Sequence, residues 1–415
     1  MEVRPGYKQT EVGAIPKDWH VASVGEFCSC YSGGTPSTTI AAYYGGYIPW
    51  ITSSDLNKVR IDEVSGRITD EGLANSAAKM VEPGTLLLAL YGATAGVCAT
   101  TLRRAAINQA ILAIVPRNAD VEFLFQFLSL KKDHYIKTYT QGGQPNFSGE
   151  IVKSFRVPLP PLPEQRAIAE ALSDVDALMS GLDRLIAKKR DLKQAAMQQL
   201  LTGQTRLPGF QGEWEVKRLG DHVRFLKNGV NSRAELVANG STKYLHYGDI
   251  HVASGAFLDP RPLPCLSEEK ARALDRLANG DLVFVDASED MDGVGKAVEI
   301  IGASDSALVA GLHTIAVRFD PAILANGFKA YLQFCPSFRR HLRRLAAGTK
   351  VYATNRGHIA TVEMPLPSLE EQTAIATVLS DMDAELAALE ARRDKTRLLK
   401  QGMMQELLTG RTRLV

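Results

Sequence analysis

The sequence has no apolar run approaching the 18 or so residues that a membrane-spanning helix needs. Its first ten residues, MEVRPGYKQT, also lack the charged-then-apolar pattern of a secretory leader. We therefore expect no membrane association and a cytoplasmic location. Cysteine is scarce: there are five in 415 residues, and the close pair Cys28 and Cys30 has no second pair at zinc-site spacing. Reduced, structural thiols are the expected state.

Catalytic motifs are missing as well. An adenine methyltransferase needs an Asn/Asp-Pro-Pro-aromatic loop, but the one Pro-Pro pair, Pro160-Pro161, is followed by Leu162. There is no GxxxxGK(S/T) phosphate loop either. We therefore expect no active site, no cofactor and no metal in this chain.

One segment imitates a calcium loop. SEDMDGVGKAVE, residues 288–299, has Asp290, Asp292 and Gly293 near the required spacing and ends on Glu299. Ser288 replaces the first acidic ligand, however, and the flanks DLVFVDA and VEII indicate strands, not helices. The segment is better explained as a hairpin turn, and its lone GxGK is weak as a nucleotide loop because no strand-to-helix context surrounds it.

What the sequence does contain is a duplication. Residues 158–207 and 365–414 align without a gap, and 29 of the 50 aligned residues are identical. The first copy begins PLPPLPEQRAIAEAL and ends LLTGQTRL; the second begins PLPSLEEQTAIATVL and ends LLTGRTRL. Identity of this extent predicts two copies of one structure and argues against two unrelated core helices.

Each copy carries the start and stop signals of a single long helix. Pro163 fits the first helical turn of the first copy, and Ser368 with Glu371 has the spacing of a capping box in the second. Gly203 and Gly410 fit the left-handed position that ends a helix. These signals enclose about 39 residues, or about 58 Å of helix at 1.5 Å per residue.

Apolar residues in both copies recur at intervals of three and four, which is typical of a coiled coil. Polar residues interrupt the pattern at Lys189, Lys193, Arg393, Thr396 and Lys400, and such an interrupted seam favours one register. We expect the two copies to pair with each other, antiparallel, although the pattern also allows pairing with a second chain. The predicted seam consists of Ile168, Leu172, Val175, Met179 and Leu182, with Ile375, Leu379, Met382, Leu386 and Leu389 in the second copy.

The segments before the helices are related more loosely. WHVASVGEF matches WEVKRLGDH, EPGTLLLAL matches ANGDLVFVD, and INQAILAIV matches AGLHTIAVR. Short runs bounded by Gly and Pro indicate strands, and a short helix with His134 or His341 follows in each half. We therefore predict a domain at 1–157, a helix at 158–207, a second domain at 208–364 and a second helix at 365–415.

A formal net charge of +2 is too small to indicate a nucleic-acid binder by itself. Local clusters are more informative, because lysines near His134 correspond to arginines near His341, and each cluster precedes a polar loop, QGGQPNFSG or GTKVYATNRG. Cations beside Gln, Asn and aromatic residues suit a surface that neutralises phosphates and approaches base edges. A solvated basic helix face is the simpler alternative.

The repeated helix motifs, the GGTPS of Gly33 to Ser37, the YIPWITSSDL of Tyr47 to Leu56 and the opening GAIPKDW together resemble the specificity subunit of type I restriction-modification systems. The similarity covers essentially the full length and is strongest in the helices. The second domain has LKNGVNSRAE, residues 226–235, where the first has GGTPS. We therefore expect the two domains to recognise different sequences.

The resemblance implies that each domain is a target-recognition domain for one half of a split site in double-stranded DNA. It also implies that the helices space the domains and dock two modification subunits, which bring S-adenosylmethionine and methylate adenines. Restriction subunits would add ATP- and Mg-dependent translocation and cleavage. A helix of about 58 Å is long enough to hold two reading domains more than one turn of DNA apart.

The expected fold class is α+β, with two similar α/β domains joined by two long antiparallel coiled-coil helices in a pseudo-twofold repeat. Two other functions stay open: a coiled-coil adaptor that binds proteins, and a self-sufficient DNA methyltransferase or nuclease. The predicted DNA-binding residues are Thr35, Ser37, Lys131, Lys132, Lys137, Gln144 and Asn146 in the first domain, and Lys227, Asn231, Arg233, Arg339, Arg340, Arg343, Arg344, Lys350, Tyr352 and Arg356 in the second.

Overall fold

The computed structural model describes residues 4–139, 144–253, 255–291, 293–303, 307–346, 348 and 351–414. The chain forms two compact units, one of Met1–Asp183 with Arg392–Val415 and one of Arg184–Ala391. Each unit therefore contains one domain, part of the helix that follows it and part of the other helix. The segments 158–207 and 365–415 are shared between the units, and the α/β domains with two long helices confirm the predicted fold class.

The first unit is built on a five-stranded sheet in the order β4-β12-β9-β10-β6 and a four-stranded sheet in the order β7-β5-β11-β8. Pairing is antiparallel except for β10 with β6 and β11 with β5. Strands β3 and β13 bring the beginning and end of the domain together. The strands are β1 Tyr7–Thr10, β2 Gly13–Pro16, β3 His20–Ser23, β4 Cys28–Ser32, β5 Tyr44–Ile51, β6 Arg60–Ile61, β7 Arg67–Ile68, β8 Lys79–Val81, β9 Leu86–Ala89, β10 Cys98–Thr101, β11 Ala105–Ile107, β12 Ile111–Pro116 and β13 Arg156–Leu159.

The second unit repeats the five-stranded sheet, whereas its other large sheet has three strands in the order β18-β16-β22. Its five-stranded sheet has the order β15-β23-β19-β21-β17, and the parallel pairs β21 with β17 and β16 with β22 recur in place. Strands β14 and β25 close the domain as β3 and β13 do. The strands are β14 Glu215–Arg218, β15 Val223–Phe225, β16 Thr242–Leu245, β17 Phe257–Leu258, β18 Cys265–Leu266, β19 Leu282–Val285, β20 Ala287–Ser288, β21 Ala297–Ile300, β22 Ala307–Ala310, β23 Thr314–Phe319, β24 Tyr352–Ala353 and β25 Glu363–Leu366.

The helix after the sheet differs between the domains. In the first it is one helix, Val121–Tyr139, which covers the expected segment FLFQFLSLKKDHYIKTY. In the second a 3₁₀ turn at Lys329–Phe334 precedes a helix of 10 residues, because Pro336 cannot continue a helix and instead starts one. The helices are α1 Val24–Phe27, α2 Asp70–Ala74, α3 Val121–Tyr139, α4 Gly149–Lys153, α5 Leu162–Leu200, α6 Tyr247–Val252, α7 Glu268–Ala271, α8 Pro336–Leu345, α9 Arg356–Ala360 and α10 Leu369–Leu407.

The long helices α5 and α10 each contain 39 residues, as the end signals predict. Gly203 and Gly410 have φ angles of +70° and +72° just beyond them. The capping box is only half formed: Ser368 Oγ accepts from the Glu371 amide at 3.3 Å, but the Glu371 carboxylate is used elsewhere. No described helix is long and apolar enough to cross a membrane.

Within each unit the parts of α5 and α10 run antiparallel. In the first unit, Asp176 pairs with Lys400 at 2.7 Å and Asp183 with Arg393 at 3.8 Å. In the second unit, Lys193 pairs with Asp383 and Lys189 with Glu385, the latter at 2.7 Å. The helices therefore pair within one chain, and the cations that interrupt the apolar seam are the ones that form these ion pairs.

The seam residues nearest the domains belong to the domain cores. Ile168 and Leu172 are buried with Leu407 and Leu408 in the core of the first unit. Further along, burial of the predicted seam is less complete. Leu182, Ile375 and Leu379 are buried, whereas Val175, Met179, Met382, Leu386 and Leu389 are half-buried.

A tryptophan, a glutamate and an arginine join each domain to the helices. In the first unit the Trp19 indole donates to Glu164 at 3.0 Å, and Arg413 forms two hydrogen bonds to the same carboxylate, at 2.5 and 2.7 Å. The Glu164 side chain is 1% exposed. Arg413 also pairs with Asp18 at 2.8 Å. These two carboxylates raise the pKa of the Arg413 guanidinium, so Arg413 is charged at neutral pH.

The second unit repeats the cluster with Trp214, Glu371 and Arg206. The indole donates to Glu371 at 3.2 Å, and Arg206 contacts both carboxylate oxygens at 2.5 and 2.6 Å. Glu371 therefore serves Arg206 and Trp214, which explains why it does not complete the capping box. The TRL ending of one helix copy thus meets the EQ beginning of the other, and this contact accounts for the repeated motifs at both ends.

Candidate DNA interface

In the first unit, three segments meet where the central strand β9 ends. The Leu90 amide donates to the Ala110 carbonyl at 2.8 Å, which ties the end of β9 to the turn before β12. The Phe147 amide donates to the Leu90 carbonyl at 2.7 Å, and Tyr91 forms a β-bridge with Asn146. The polar loop that carries Gln144 and Asn146 is therefore held beside this edge, and both of those side chains are exposed.

The GGTPS loop reaches the same edge. The Gly34 amide donates to the Ile107 carbonyl at 3.1 Å, and the Thr35 hydroxyl hydrogen-bonds Gln109, one residue before Ala110. The glycines are required because a Cβ on Gly33 would lie 1.8 Å from the Ile107 carbonyl oxygen. Thr35 and Ser37 are exposed, so the structure brings Thr35 and Asn146 to one edge of the domain.

The basic residues of helix α3 are more varied than the sequence indicates. Lys131 and Lys132 are half-buried, and Lys137 is exposed. The stem of Lys132 packs against Gly96 in the turn that follows β9, 3.1 Å from the position a Cβ would occupy. Lys132 therefore contacts the turn beside the candidate edge, whereas Lys137 projects from the last turn of α3.

The second unit has an equivalent edge at the end of β19. The Asp286 amide donates to the His313 carbonyl at 3.2 Å, and the Thr354 amide donates to the Asp286 carbonyl at 2.7 Å. The loop that carries Tyr352 pairs with β20, as the Asn146 loop does with Tyr91. The loop LKNGVNSRAE joins from the other side, because the Gly229 amide donates to the Ala310 carbonyl at 2.8 Å. Lys350 lies outside the described residues.

Several predicted DNA-binding cations in this unit have protein partners. Arg233 pairs with Asp249 at 2.6 Å, and Arg356 donates to the Leu226 carbonyl at 3.0 Å and to Asn228 at 3.2 Å. Asn231 donates to Glu235 at 2.9 Å. These side chains order the loop, so their expected direct contact with DNA stays a prediction. Lys227 is exposed.

The arginines of helix α8 divide into two pairs. Arg340 and Arg344 are exposed, whereas Arg339 and Arg343 are half-buried. Arg343 donates to the Met291 carbonyl at 3.2 Å, which places it against the turn between β20 and β21. Arg340 and Arg344 are thus the guanidinium groups of this helix best exposed to a phosphate backbone.

The segment that imitates a calcium loop and the close cysteine pair both have structural roles. Ser288 ends strand β20, and Glu299 lies in strand β21, where its buried carboxylate accepts from the amides of Gly327 and Ala330 at 2.7 and 2.9 Å. Asp292 lies outside the described residues. Burial raises the pKa of the Cys28 thiol to about 12 and of the Cys30 thiol to about 11, so both stay protonated at neutral pH.

Four side chains at the second edge are not among the residues predicted from the sequence. Tyr247, His251 and His313 line a cleft there, Asp286 contacts His313, and the His313 and Asp286 side chains are 54% and 33% exposed. A signal existed, since the matched segments EPGTLLLAL and ANGDLVFVD end on Leu90 and Asp286. A charged residue in one copy of an apolar strand marks a position where the two domains differ.

Comparisons with known proteins agree with this architecture. A family model described as type I restriction modification DNA specificity domain matches residues 16–188. The MjaVIII type I restriction enzyme specificity subunit of Methanocaldococcus jannaschii is 24% identical over 98% of this chain and 96% of its own length. The MjaIX specificity subunit of the same organism is 30% identical over 54% of this chain and 56% of its own length. The chain is therefore similar to type I specificity subunits along essentially its whole length.

A solved structure supports the same fold. The S subunit of a type I restriction-modification system from M. genitalium aligns with a TM-score of 0.61 and 14% identity, over 98% of each chain. The matched model is a DNA specificity domain and the relatives are named as specificity subunits of restriction enzymes, which supports DNA sequence recognition without catalysis as the role of this chain. The predicted family, function and non-enzymatic role are therefore confirmed.

Proposed function

We propose that each domain of this specificity subunit reads one half of a split DNA site through the edge at the end of its central strand. One observation carries the proposal: the two domains share a strand order and the same edge hydrogen bonds, yet present different side chains there. Thr35, Gln109 and Asn146 occupy the first edge, whereas Asp286 and His313 occupy the second. Base edges in the major groove differ in their donors and acceptors, so different edge residues select different half-sites.

The long helices set the unread gap between the half-sites. Each is about 58 Å long at 1.5 Å per residue. A helix of that length suits half-sites more than one turn of DNA, or about 35 Å, apart. The ion pairs of Lys400 with Asp176 and Lys193 with Asp383 hold the register on which this spacing depends.

The same helices dock the partner subunits. Leu192 and Leu399 occupy equivalent positions of the two copies, and they are 47% and 59% exposed. Exposed leucines at matched positions suit two identical partners, so we assign each leucine to the contact with one of two modification subunits. S-adenosylmethionine would be bound by those subunits, and ATP and Mg by restriction subunits. A cytoplasmic location follows, because the complex acts on chromosomal DNA.

Mapping of methylated adenines tests the split-site proposal. Cells that express this chain with its modification subunit should carry methylation at two half-sites separated by a fixed unread gap. Exchange of residues 208–364 for the corresponding domain of another specificity subunit should change one half-site and leave the other and the gap unchanged. Methylation at one continuous site, or a change in both half-sites, would contradict the proposal.

Paired insertions test the spacer. Four residues inserted after Leu185 and four after Ala391 add one turn to each helix while the antiparallel register is kept on both sides. The gap should lengthen by about 6 Å, which is just under two base pairs. Insertion in one helix alone is the matched control and should lower stability, because the ion pairs on one side of the insertion lose register. Unchanged spacing with the paired insertions would exclude the helices as the ruler.

A further inference from the structure

The ends of the central strands β9 and β19 can be compared residue by residue. Ala89 pairs with Ile111 and Val285 with Thr314, so Leu90 corresponds to Asp286 and Ala110 to His313. In both domains the amide at the strand end, of Leu90 or Asp286, donates to the carbonyl of its partner, Ala110 or His313. A returning loop then donates to the carbonyl of Leu90 or Asp286. The same two backbone hydrogen bonds therefore occur at this point in both domains.

The side chains at these two positions are apolar in the first domain and polar in the second. Leu90 and Ala110 are 6% and 5% exposed, and Leu90 belongs to the core of the first unit. Asp286 and His313 are partly exposed, and His313 Nδ1 lies 3.2 Å from Asp286 Oδ1. Because the first domain closes this point with two apolar side chains, the fold does not require a polar pair here. Its presence in the second domain needs another explanation.

His313 is also held in an unusual conformation. Its φ angle is +57°, a region that residues other than glycine seldom occupy. The Tyr247 ring contacts the imidazole edge-on, with centroids 5.5 Å apart, and contacts His251 in the same way at 5.9 Å. Sparsely populated backbone conformations persist where the surrounding structure enforces them, commonly at functional sites. The imidazole is thereby oriented beside the Asp286 carboxylate.

His313, which contacts Asp286, lines an open cleft of about 440 Å³ together with Tyr247, His251, Ser288 and Asp290 among others. The exposed carboxylates of Glu289 and Asp290 make the cleft unsuitable for a phosphate group, which carries the same charge. A carboxylate does suit the amino groups that bases present in the major groove, namely N4 of cytosine and N6 of adenine.

We propose that Asp286 is a specificity-determining residue of the second domain and accepts a hydrogen bond from such an exocyclic amino group. His313 is its positioning residue: Nδ1–H donates to Oδ1 and leaves Oδ2 to face the base. This inference rests on the proposed function, and it adds that one position of the second half-site carries cytosine or adenine on the strand that Asp286 reads.

Selection from a randomised DNA duplex library tests it, with the full chain in complex with its modification subunits. The double variant Asp286→Leu/His313→Ala gives the second domain the pair that the first domain already uses. It should lose preference at one position of the second half-site and keep every position of the first. Asp286→Asn, which is nearly isosteric, adds a donor and should shift that preference toward the keto groups of guanine or thymine.

Base analogues identify the contacted group. At the affected position, purine in place of adenine, or 2-pyrimidinone in place of cytosine, removes only the amino group. The wild type should lose affinity roughly ten- to hundredfold for whichever analogue matches its site. The double variant should lose nothing further, since it no longer makes that contact. This coupling would not arise if Asp286 were merely structural.

The outcomes separate the two proposals. If the wild type selects no two-part site, the proposed function fails. If it selects one, but both Asp286→Asn and the double variant keep every preference of the second half-site, the assignment of Asp286 is wrong. Thermal unfolding of each variant shows whether it is folded, and the conservative Asp286→Asn change carries the test if the double variant is not.

Discussion

The two domains carry different side chains at a point where they share the same backbone hydrogen bonds. At the end of the central strand, both join the same three segments by the same hydrogen bonds, but Leu90 and Ala110 fill the first domain and Asp286 and His313 the second. The clusters that attach each domain to the helices show the reverse: Trp19, Glu164 and Arg413 are repeated as Trp214, Glu371 and Arg206. Recognition surfaces have thus diverged on a retained scaffold, while the attachment to the helices has stayed the same.

The largest effect should come from breaking one attachment cluster. Glu164→Ala or Glu371→Ala leaves a partly buried arginine and a tryptophan N–H without their shared acceptor, and each should lower the free energy of unfolding by about 3 kcal/mol. Urea unfolding, with hydrogen exchange to locate the affected unit, measures this. The Glu→Gln changes sharpen the comparison. Arg413 keeps Asp18, whereas Arg206 keeps the Gly212 carbonyl, so Glu371→Gln should be the more harmful. Equal losses would contradict that difference.

Removing exposed cations should weaken DNA binding in both domains. Arg340→Ala with Arg344→Ala removes two guanidinium groups of α8, and the slope of log affinity against log salt should become shallower by about 1.8 if both neutralise phosphates. Lys137→Ala is the matched change in the first domain, with an expected reduction of about 0.9. Affinity measured at several salt concentrations tests both. An unchanged slope in either domain would place its phosphate contacts elsewhere.

A smaller effect is expected from the ion pairs within the helices. Lys400 is 17% exposed and Lys193 16%, and their partners Asp176 and Asp383 also accept from Gln126 and Tyr331. Each Lys→Ala change should therefore cost about 1–2 kcal/mol, because a charged hydrogen bond is lost but the carboxylate keeps a second donor. Thermal unfolding measures the loss, with Lys188→Ala on the exposed face of α5 as the control. Clearly unequal losses at Lys193 and Lys400 would argue against equivalence of the two halves.

The smallest effect concerns acid sensitivity of the two recognition loops. Glu235 accepts hydrogen bonds from Lys270, Ser232 and Asn231, which lower its pKa from 4.5 to about 2. A carboxyl group with a lowered pKa stabilises the folded state above its unfolded pKa, and that contribution is lost as the pH falls from about 4.5 toward 2. The protection of the Ser232 amide, measured against its intrinsic exchange rate at each pH, should fall over that window, and Glu235→Gln should remove this loss of protection.

The GGTPS loop supplies the contrast. It is held by the packing of Gly33 on Ile107 and of Gly34 on Ala77, neither of which titrates. The protection of the Gly34 amide, relative to its intrinsic exchange rate, should therefore change little over the same pH range. A loop that loosens with acid in the first domain as it does in the second would show that glycine packing is not what holds it.

Prediction from sequence succeeded where the signal is local. Periodicity and end signals give both 39-residue helices, because a helix is specified by residues three and four positions apart. Glu371 shows the limit: its spacing from Ser368 indicates a capping box, but Arg206, 165 residues away, binds its carboxylate instead. Arg233 and Arg356 suggest phosphate contacts by charge alone, yet Asp249 and the Leu226 carbonyl engage them in the fold.

Local patterns and the comparison of one half of the chain with the other were enough to predict the repeat of domain and helix, the length of each helix and the family that the chain resembles. Three features became visible only in the folded structure. Arg413 pairs with Glu164, the parts of α5 and α10 run antiparallel within each unit, and Asp286 lies beside His313. Contacts between distant residues depend on strand register and helix packing, in which many weak interactions act together, so no single segment encodes them.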